Sequence, residues 1–313
     1  MSSLPSSSTS SSAPIDLRRV RRLFALPERV ADSDFLRREV AARMQERLAL
    51  VKINPVCALD AGCGVGADLP VLQQRFPAAH LLGLDAAPAM VMAAQHRHSA
   101  ARSSLNRLLA KWLPGKDGAK RRSGMSLLCG DFAALPLAGN SLDLVWSNLA
   151  LHWHPQPDRV FAEWRRVLQV DGLLMFSCFG PDTFKELRAA FAAVDGAPHV
   201  LPFVDMHDFG DMLVNAGFST PVMDMETITV TYATPEKLLA DLRAWGGNPL
   251  ATRARGLLGK EGKRRLLQAL EQRRLPDGRL ALSFEVIYGH AFRPAARTTA
   301  AGETIVRLDW PKK

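Results

Sequence analysis

Two periodicities divide the chain. Over residues 16–50 apolar side chains recur every three to four positions, first as Leu17, Val20, Leu23 and Phe24, then as Phe35, Val40, Met44 and Leu48. That spacing keeps one face of a helix dry. From residue 56 the pattern changes to short unbroken apolar runs separated by amphipathic stretches. Runs at 56–59, 80–84, 127–129, 142–146 and 172–179 read as buried strands, with helices over 69–76, from Pro88 onward and over 159–168. Pro88 suits a first helical turn, where its missing N–H leaves nothing unpaired. Strands alternating with helices of these lengths predict an α/β fold, a Rossmann-like parallel sheet covered by helices on both faces. Two further runs, 222–230 and 282–292, bring the strands to seven. The stretch 235–275 between them reads as helical and basic. It is too long for a hairpin and is predicted to cap the site as a lid.

The expected organisation is therefore a disordered Ser-rich tail at 1–14, one domain over 15–293 and a weakly patterned tail at 294–313. Within the domain lie a helical N-terminal segment (16–50), a ligand-binding core (55–180) and the lid (233–279). A Ser- and Arg-rich, acid-poor start also matches a mitochondrial transit peptide.

Composition narrows the class. The chain has 313 residues, 47% hydrophobic and 23% charged, with a mean hydropathy of −0.03, as soluble globular domains have. No apolar run reaches the roughly 18–20 residues of a membrane span, and none follows the N-terminus as a secretory signal requires. A cytoplasmic protein without membrane contact is expected. The cysteines, at 57, 63, 129 and 178, form no CxxC pair and have no histidines at zinc-finger spacing, so neither a disulfide framework nor a metal site is expected. The net charge of +9 is concentrated. Residues 1–30 carry +3 and residues 102–122 carry +6. Aromatics do not interleave with either cluster as a nucleic-acid stacking surface needs. The clusters read as solvated loops or as a dock for an acidic partner.

The chemistry centres on Asp60-Ala61-Gly62-Cys63-Gly64-Val65-Gly66-Ala67. Glycine is required where a turn takes positive φ or where backbone must touch a ligand. Gly62, Gly64 and Ala67 fit the dinucleotide fingerprint, and Asp85 follows 18 residues after Ala67, so the glycines alone do not choose between cofactors. Three features favour S-adenosylmethionine over NAD. Asp60 ends the strand directly before the turn, where it repels a pyrophosphate and welcomes the methionyl ammonium. Helical residues precede the first strand and can fold over the site. A further acidic residue, Asp131 in Gly130-Asp131-Phe132, follows the third strand, within reach of an adenine amino group. The Asp85 carboxylate can accept from two vicinal ribose hydroxyls. All three aspartates are also well placed simply to cap helices.

These residues resemble those of class I methyltransferases: Asp60–Gly66 as the first motif, Asp85 as the acidic end of the second strand, then Gly130-Asp131, the run 142–153 and Asp171-Gly172. Residues 147–153, 179–188, Pro198-His199, 205–208, 216–218, 238–248 and 288–290 resemble the biotin-synthesis (BioC-type) methyltransferases, over roughly 35–292. The same stretches are similar to the methyltransferase-fold assembly factors of respiratory complex I, and Phe35-Leu36-Arg37-Arg38-Glu39-Val40 matches those at least as well. The resemblance implies a seven-stranded class I methyltransferase sheet holding S-adenosylmethionine through Asp60, Ala61, Gly62, Gly64, Gly66, Asp85, Ala86, Asp131, Phe132 and Asn148. It also implies O-methylation of the free carboxylate of malonyl carried on acyl carrier protein, with His152, Trp153 and Arg243 in the substrate pocket. An assembly-type protein acting on a protein arginine, a non-catalytic cofactor-binding module and an NAD oxidoreductase stay open as alternatives. The last needs a hydride-handling His or Tyr that the sequence does not place.

A malonyl carboxylate is ionised at neutral pH, so attack on a sulfonium methyl needs no general base. The expected site strips water from the carboxylate, aligns it and holds its second oxygen, without a catalytic dyad.

Overall fold

The computed structural model describes residues 14–31, 34–109, 124–245, 247–253, 256 and 258–295. The Ser-rich tail, the C-terminal tail from 296 and the basic stretch beyond 109 lie outside the described residues. Seven strands form one sheet. In chain order they are β1 (Cys57–Ala61), β2 (His80–Asp85), β3 (Met125–Cys129), β4 (Leu142–Asn148), β5 (Leu168–Phe179), β6 (Ser219–Tyr232) and β7 (Leu280–Phe292), laid side by side as β3-β2-β1-β4-β5-β7-β6. The strands β1 to β5 pair in parallel. The all-parallel expectation is corrected at the far edge, where β7 runs antiparallel between β5 and β6. The chain leaves β6, makes its helical excursion and returns beside the same strand, which reverses the direction.

A second correction concerns β5, which starts at Leu168 rather than 172. Asp171 takes φ 64° and donates its N–H to the Arg293 carbonyl at 2.8 Å, and the β4–β5 register shifts between Leu142 and Leu144. Asp171-Gly172 is thus a bulge inside a strand. Its exposed polar neighbours hide the strand's first turn from a hydrophobicity reading.

Ten helices surround the sheet: α1 (Leu17–Leu23), α2 (Pro27–Ala31), α3 (Asp34–Ala49), α4 (Leu69–Arg75), α5 (Pro88–Leu109), α6 (Pro157–Val167), α7 (Lys185–Phe191), α8 (Met206–Asn215), α9 (Pro235–Ala244) and α10 (Lys260–Glu271) among the described residues. One sheet face buries Leu36, Val40, Met44 and Leu48 of α3 with Leu69 and Leu72 of α4 against Leu144, Trp146 and Met175. The opposite face buries Val160, Phe161, Trp164 and Val167 of α6 with Phe209 and Leu213 of α8 against Val145, Leu174 and Phe176. Each fully buried apolar side chain contributes about 1.5–3 kcal/mol, so helices with the periodicity seen in the sequence are fixed by packing. A satellite cluster joins Ala190 and Val194 to Leu266, Ala269 and Leu270, seating α10 on α7. No helix among the described residues is long and apolar enough to cross a membrane.

Two features position the site. Strand order reverses beside β1, so the loops leaving β1 and β4 diverge and open a crevice at their carboxyl ends. The chain start is also fastened to the segment after α9. Ile15 bridges Leu250, Asp16 N–H donates to the Pro249 carbonyl (3.0 Å), Ala251 N–H donates to the Pro14 carbonyl (2.8 Å) and Arg19 Nε donates to the Asn248 carbonyl (2.9 Å).

Candidate active site

The turn after β1 is pinned to β2. Gly62 and Cys63 donate their N–H groups to the Leu84 carbonyl at 2.8 and 3.0 Å, and Gly64 N–H donates to Asp85 Oδ2 at 2.9 Å. Gly62 sits at φ +81°, and a Cβ there would stand 2.3 Å from the Ala150 Cβ, so the turn and the chain after β4 approach as only glycine allows. Gly64, at φ +53°, opens on empty space, with nothing within 4 Å of a Cβ position. Asp85 Oδ1 accepts from Ala87 N–H at 2.8 Å. The carboxylate therefore caps a helix and fixes the glycine turn, and each oxygen keeps a lone pair for a further donor. Burial raises the Asp85 pKa, against the pull of its two backbone donors.

Beside this turn lies a cavity of about 360 Å³, walled by Gly62, Gly64, Asp85, Ala86, Phe132 and Asn148 of the expected site and by Val20, Phe24 and Val30 from α1 and α2. Asp60 and Ala61 do not line it. Asp60 is buried at the tip of β1, 2% exposed. Burial raises its pKa well above the ordinary carboxylate value, with Asp68 and Asp85 pushing the same way and Arg37 opposing. Gly66 turns away, its carbonyl accepting from His98 Nε2 at 3.1 Å. Asp131 caps its own turn by accepting Ala133 N–H at 2.9 Å and stands 3.9 Å from His154; its neighbour Phe132 is the residue that reaches the cavity. Asn148 lines the cavity with both amide protons engaged. Nδ2 donates to the Arg37 carbonyl and Asp68, and Oδ1 accepts from Ser177. Its backbone and the second lone pair of Oδ1 are left for a ligand.

Two residues that the sequence reading passed over support this wall, Arg37 in the lining and Asp68 behind it. Arg37 reaches from α3 to Asp34 and Asp68, both at 2.8 Å. Burial disfavours its charge, but Asp68 and then Asp34 outweigh that and raise its pKa. Its Nη2 is buried, makes no hydrogen bond and belongs to a side chain lining the cavity. Asp68 stands at the N-cap position of α4 but forms no cap. Its carboxylate accepts instead from Arg37, Trp146 Nε1 and Asn148 Nδ2. An aspartate directly after a glycine turn reads as a cap, which masks this role; Arg37 lay inside the quoted 35–40 stretch without a partner to mark it.

A second cavity, about 460 Å³, opens on the other side of Trp153, which lines both. Its walls are apolar: Phe179, Phe184, Leu187, Phe203, Leu239 and Trp245 among others. The excursion predicted as a lid supplies one side, through α9, α10 and the segment between them. His152 and Trp153 occupy a single 3₁₀ turn after β4. His152 packs on Phe179 with ring centroids 4.6 Å apart, and Trp153 meets Phe24 of α1 edge-on at 5.2 Å. The pair is thus packed into its surroundings, and both residues also face the cavity. Burial holds the His152 pKa down to about 3. Its Nδ1 accepts from Phe179 N–H at 3.4 Å, which puts the ring proton on Nε2, a buried atom without a partner. Arg243 lines the same cavity, exposed and without a carboxylate at hydrogen-bond distance among the described residues.

The site thus pairs a polar crevice at the sheet's switch point with an apolar chamber, and Trp153 stands between them. A profile of the methyltransferase-domain family matches residues 59–176, the stretch that builds this crevice. The malonyl-[acyl-carrier protein] O-methyltransferase of Laribacter hongkongensis is 49% identical over 84% of this chain and 84% of its own. That of Gallionella capsiferriformans is 44% identical over 96% of this chain and 98% of its own. The chain belongs to this family. The fold agrees: the YcgJ protein of Bacillus subtilis aligns over 81% of this chain and 98% of its own with a TM-score of 0.54 at 13% identity. Bacillus halodurans BH2331 aligns over 82% and 99% with a TM-score of 0.53. The seven-stranded class I methyltransferase fold is therefore the architecture, and S-adenosylmethionine is the cofactor. In this family member the glycine turn at Gly62 and Gly64, Asp85 and Arg37 stand together at the cavity, whereas Asp60, Ala61, Gly66, Asp68 and Asp131 stand behind it.

Proposed function

We propose that this enzyme transfers a methyl group from S-adenosylmethionine to the free carboxylate of a malonyl group borne by acyl carrier protein, giving the methyl ester. In biotin synthesis that capping removes the charge from the chain end, so that enzymes built to extend apolar chains accept the product. The observation that carries the reading is the junction at Trp153. A crevice framed by Arg37, Asp34 and Asp85 and a mostly apolar chamber that carries Arg243, Lys263 and Glu236 share that one side chain.

The residues present fit the cofactor. The space over Gly64 admits a ligand against bare backbone, Asp85 offers two acceptors to vicinal hydroxyls, and the orphan Nη2 of Arg37 suits the methionyl carboxylate. A cationic ligand against the wall would in turn favour the ionised form of Asp60, which burial alone disfavours. When bound, S-adenosylmethionine supplies an electrophilic methyl carbon next to a positively charged sulfur.

The remaining work falls to the chain. The apolar walls around Phe179, Phe184 and Trp245 strip water from the acceptor carboxylate and so sharpen its nucleophilicity. Arg243 holds one carboxylate oxygen while the other attacks. Because the attacking carboxylate is already ionised at neutral pH, no residue of the chain has to take a proton from it. His152, neutral at working pH, offers Nε2–H to a substrate carbonyl without competing for the methyl group. Alignment of this kind contributes up to about 7–11 kcal/mol in favourable cases.

The test is incubation with methyl-labelled S-adenosylmethionine and malonyl-carrier protein. A base-labile methyl ester is expected, together with rescue of a biotin-requiring strain. Cofactor binding without ester formation would return the chain to the assembly or binding-module readings.

A further inference from the structure

The acceptor must bring its thioester into the second cavity from outside, and the rim of that cavity is not electrically neutral. Lys263 stands in its lining beside Leu266 and Leu267 of α10. Around it, on the first two turns of the same helix, are Lys260, Arg264 and Arg265, all exposed, with Glu261 as the one acidic residue among 260–265. Glu261 is already engaged by Arg264 at 2.6 Å. Lys260, Lys263 and Arg265 have no carboxylate at hydrogen-bond distance among the described residues. Of the acids in the neighbourhood, Asp195 accepts from His199 at 2.7 Å while lying in the field of Arg265, and the cavity residue Glu236 lies in the field of Arg274. The inner face of the helix is held by Leu266, Ala269 and Leu270 against α7, so the cations project from a braced support.

The basic surface of the N-terminal segment faces the other opening. Arg18, Arg21 and Arg22 lie on α1, whose Val20, with Phe24 just beyond the helix, lines the cofactor crevice. A partner seated there would cover the methyl donor's side, with Trp153 between its arm and the acceptor chamber.

We infer that the first two turns of α10 form the dock for an acidic face of the carrier, with the prosthetic arm entering past Lys263 into the apolar chamber. This rests on the reading of the reaction given above. Charges placed at a rim act chiefly on capture rather than on chemistry, so the dock governs the carrier-borne substrate and leaves a small thioester untouched.

The experiment compares malonyl-carrier protein with malonyl-pantetheine, using the full chain. Lys260→Glu with Arg265→Glu avoids the cavity lining. It should lower kcat/KM for the carrier-borne substrate on the order of tenfold at low salt, and the difference should shrink in about 0.5 M salt. Turnover of malonyl-pantetheine and cofactor affinity should stay at wild-type values, and the milder Lys260→Gln with Arg265→Gln should move the carrier value the same way by less. An equal fall for both substrates overturns the dock, as does no change, or a loss that appears instead in Arg21→Glu with Arg22→Glu. If wild-type protein methylates neither thioester, the reading of the reaction falls and the dock with it. If it methylates both and α10 reversal has no effect, the dock alone falls.

Discussion

The two cavities that meet at Trp153 are built on opposite principles. The crevice beside β1 is framed by charge. Arg37 clasps Asp34 and Asp68, Asp68 gathers Trp146 and Asn148, and Asp85 pins the glycine turn. The chamber beyond is framed by rings, with Phe179, Phe184, Phe203, Phe284 and Trp245 in mutual contact at centroid distances of 4.7–6.4 Å. A charged ligand with fixed geometry needs directional partners set in advance. A flexible arm ending in one carboxylate needs a dry channel and a single cation. The difference teaches that the donor side is specified by hydrogen bonds and the acceptor side by shape.

The contrast breaks most sharply at Arg37. Replacing it with Ala leaves Asp68 buried without its cation and should cost about 3–5 kcal/mol, read from urea denaturation. A loss under about 1 kcal/mol would mean that charge does not frame the crevice. Next in size is Gly62→Ala. Positive φ and the close approach of Ala150 together predict a loss of about 3 kcal/mol, whereas Gly64→Ala, with open space above it, should lose only about 1–2 kcal/mol in the same assay.

On the acceptor side the expected effect comes with acid. The His152 pKa is held near 3 in the folded protein by burial, against about 6.5 in the unfolded chain. The unfolded state therefore takes up the proton first as pH falls. This contribution to stability is complete above pH 6.5 and drains away below it by about 1.4 kcal/mol per pH unit, until the folded ring titrates near pH 3. His152→Phe should flatten the dependence by that amount between about pH 6 and 4.5. His98, His154 and His290, whose pKa values burial also lowers, keep their own slopes in both proteins. Smallest is Arg243→Gln, which should reduce kcat/KM about tenfold, the size of one charge-assisted hydrogen bond near water, and leave cofactor affinity unchanged. A drop in cofactor affinity would move Arg243 to the wrong side of Trp153.

How much of this could be read in the sequence follows the same division. The strands at the centre of the sheet were legible because burial on both faces writes continuous apolar runs. The glycine turn was legible because positive φ leaves few residue choices. The crevice was legible in its outline, but not in its hydrogen bonds. Asp68 looks like a cap until Arg37, 31 positions earlier, is folded against it, and Asn148 looks like a ligand contact until Ser177 and Asp68 claim its amide. The chamber was less legible still. His152, Trp153 and Arg243 were picked from a resemblance, and the structure brings all three to one cavity. Its walls, however, come from α7, α9, α10, the end of β5 and the segment 199–203, whose apolar residues in sequence are ordinary core. The β5 bulge and the reversed β7 escaped for a similar reason, since pairing direction leaves no mark on hydrophobicity.

The ladder that joins residues 14–19 to residues 248–251 ties these unlike halves together. The strap that roofs the donor side is thereby fastened to the sill of the acceptor side, so pulling either one away breaks bonds that also hold the other.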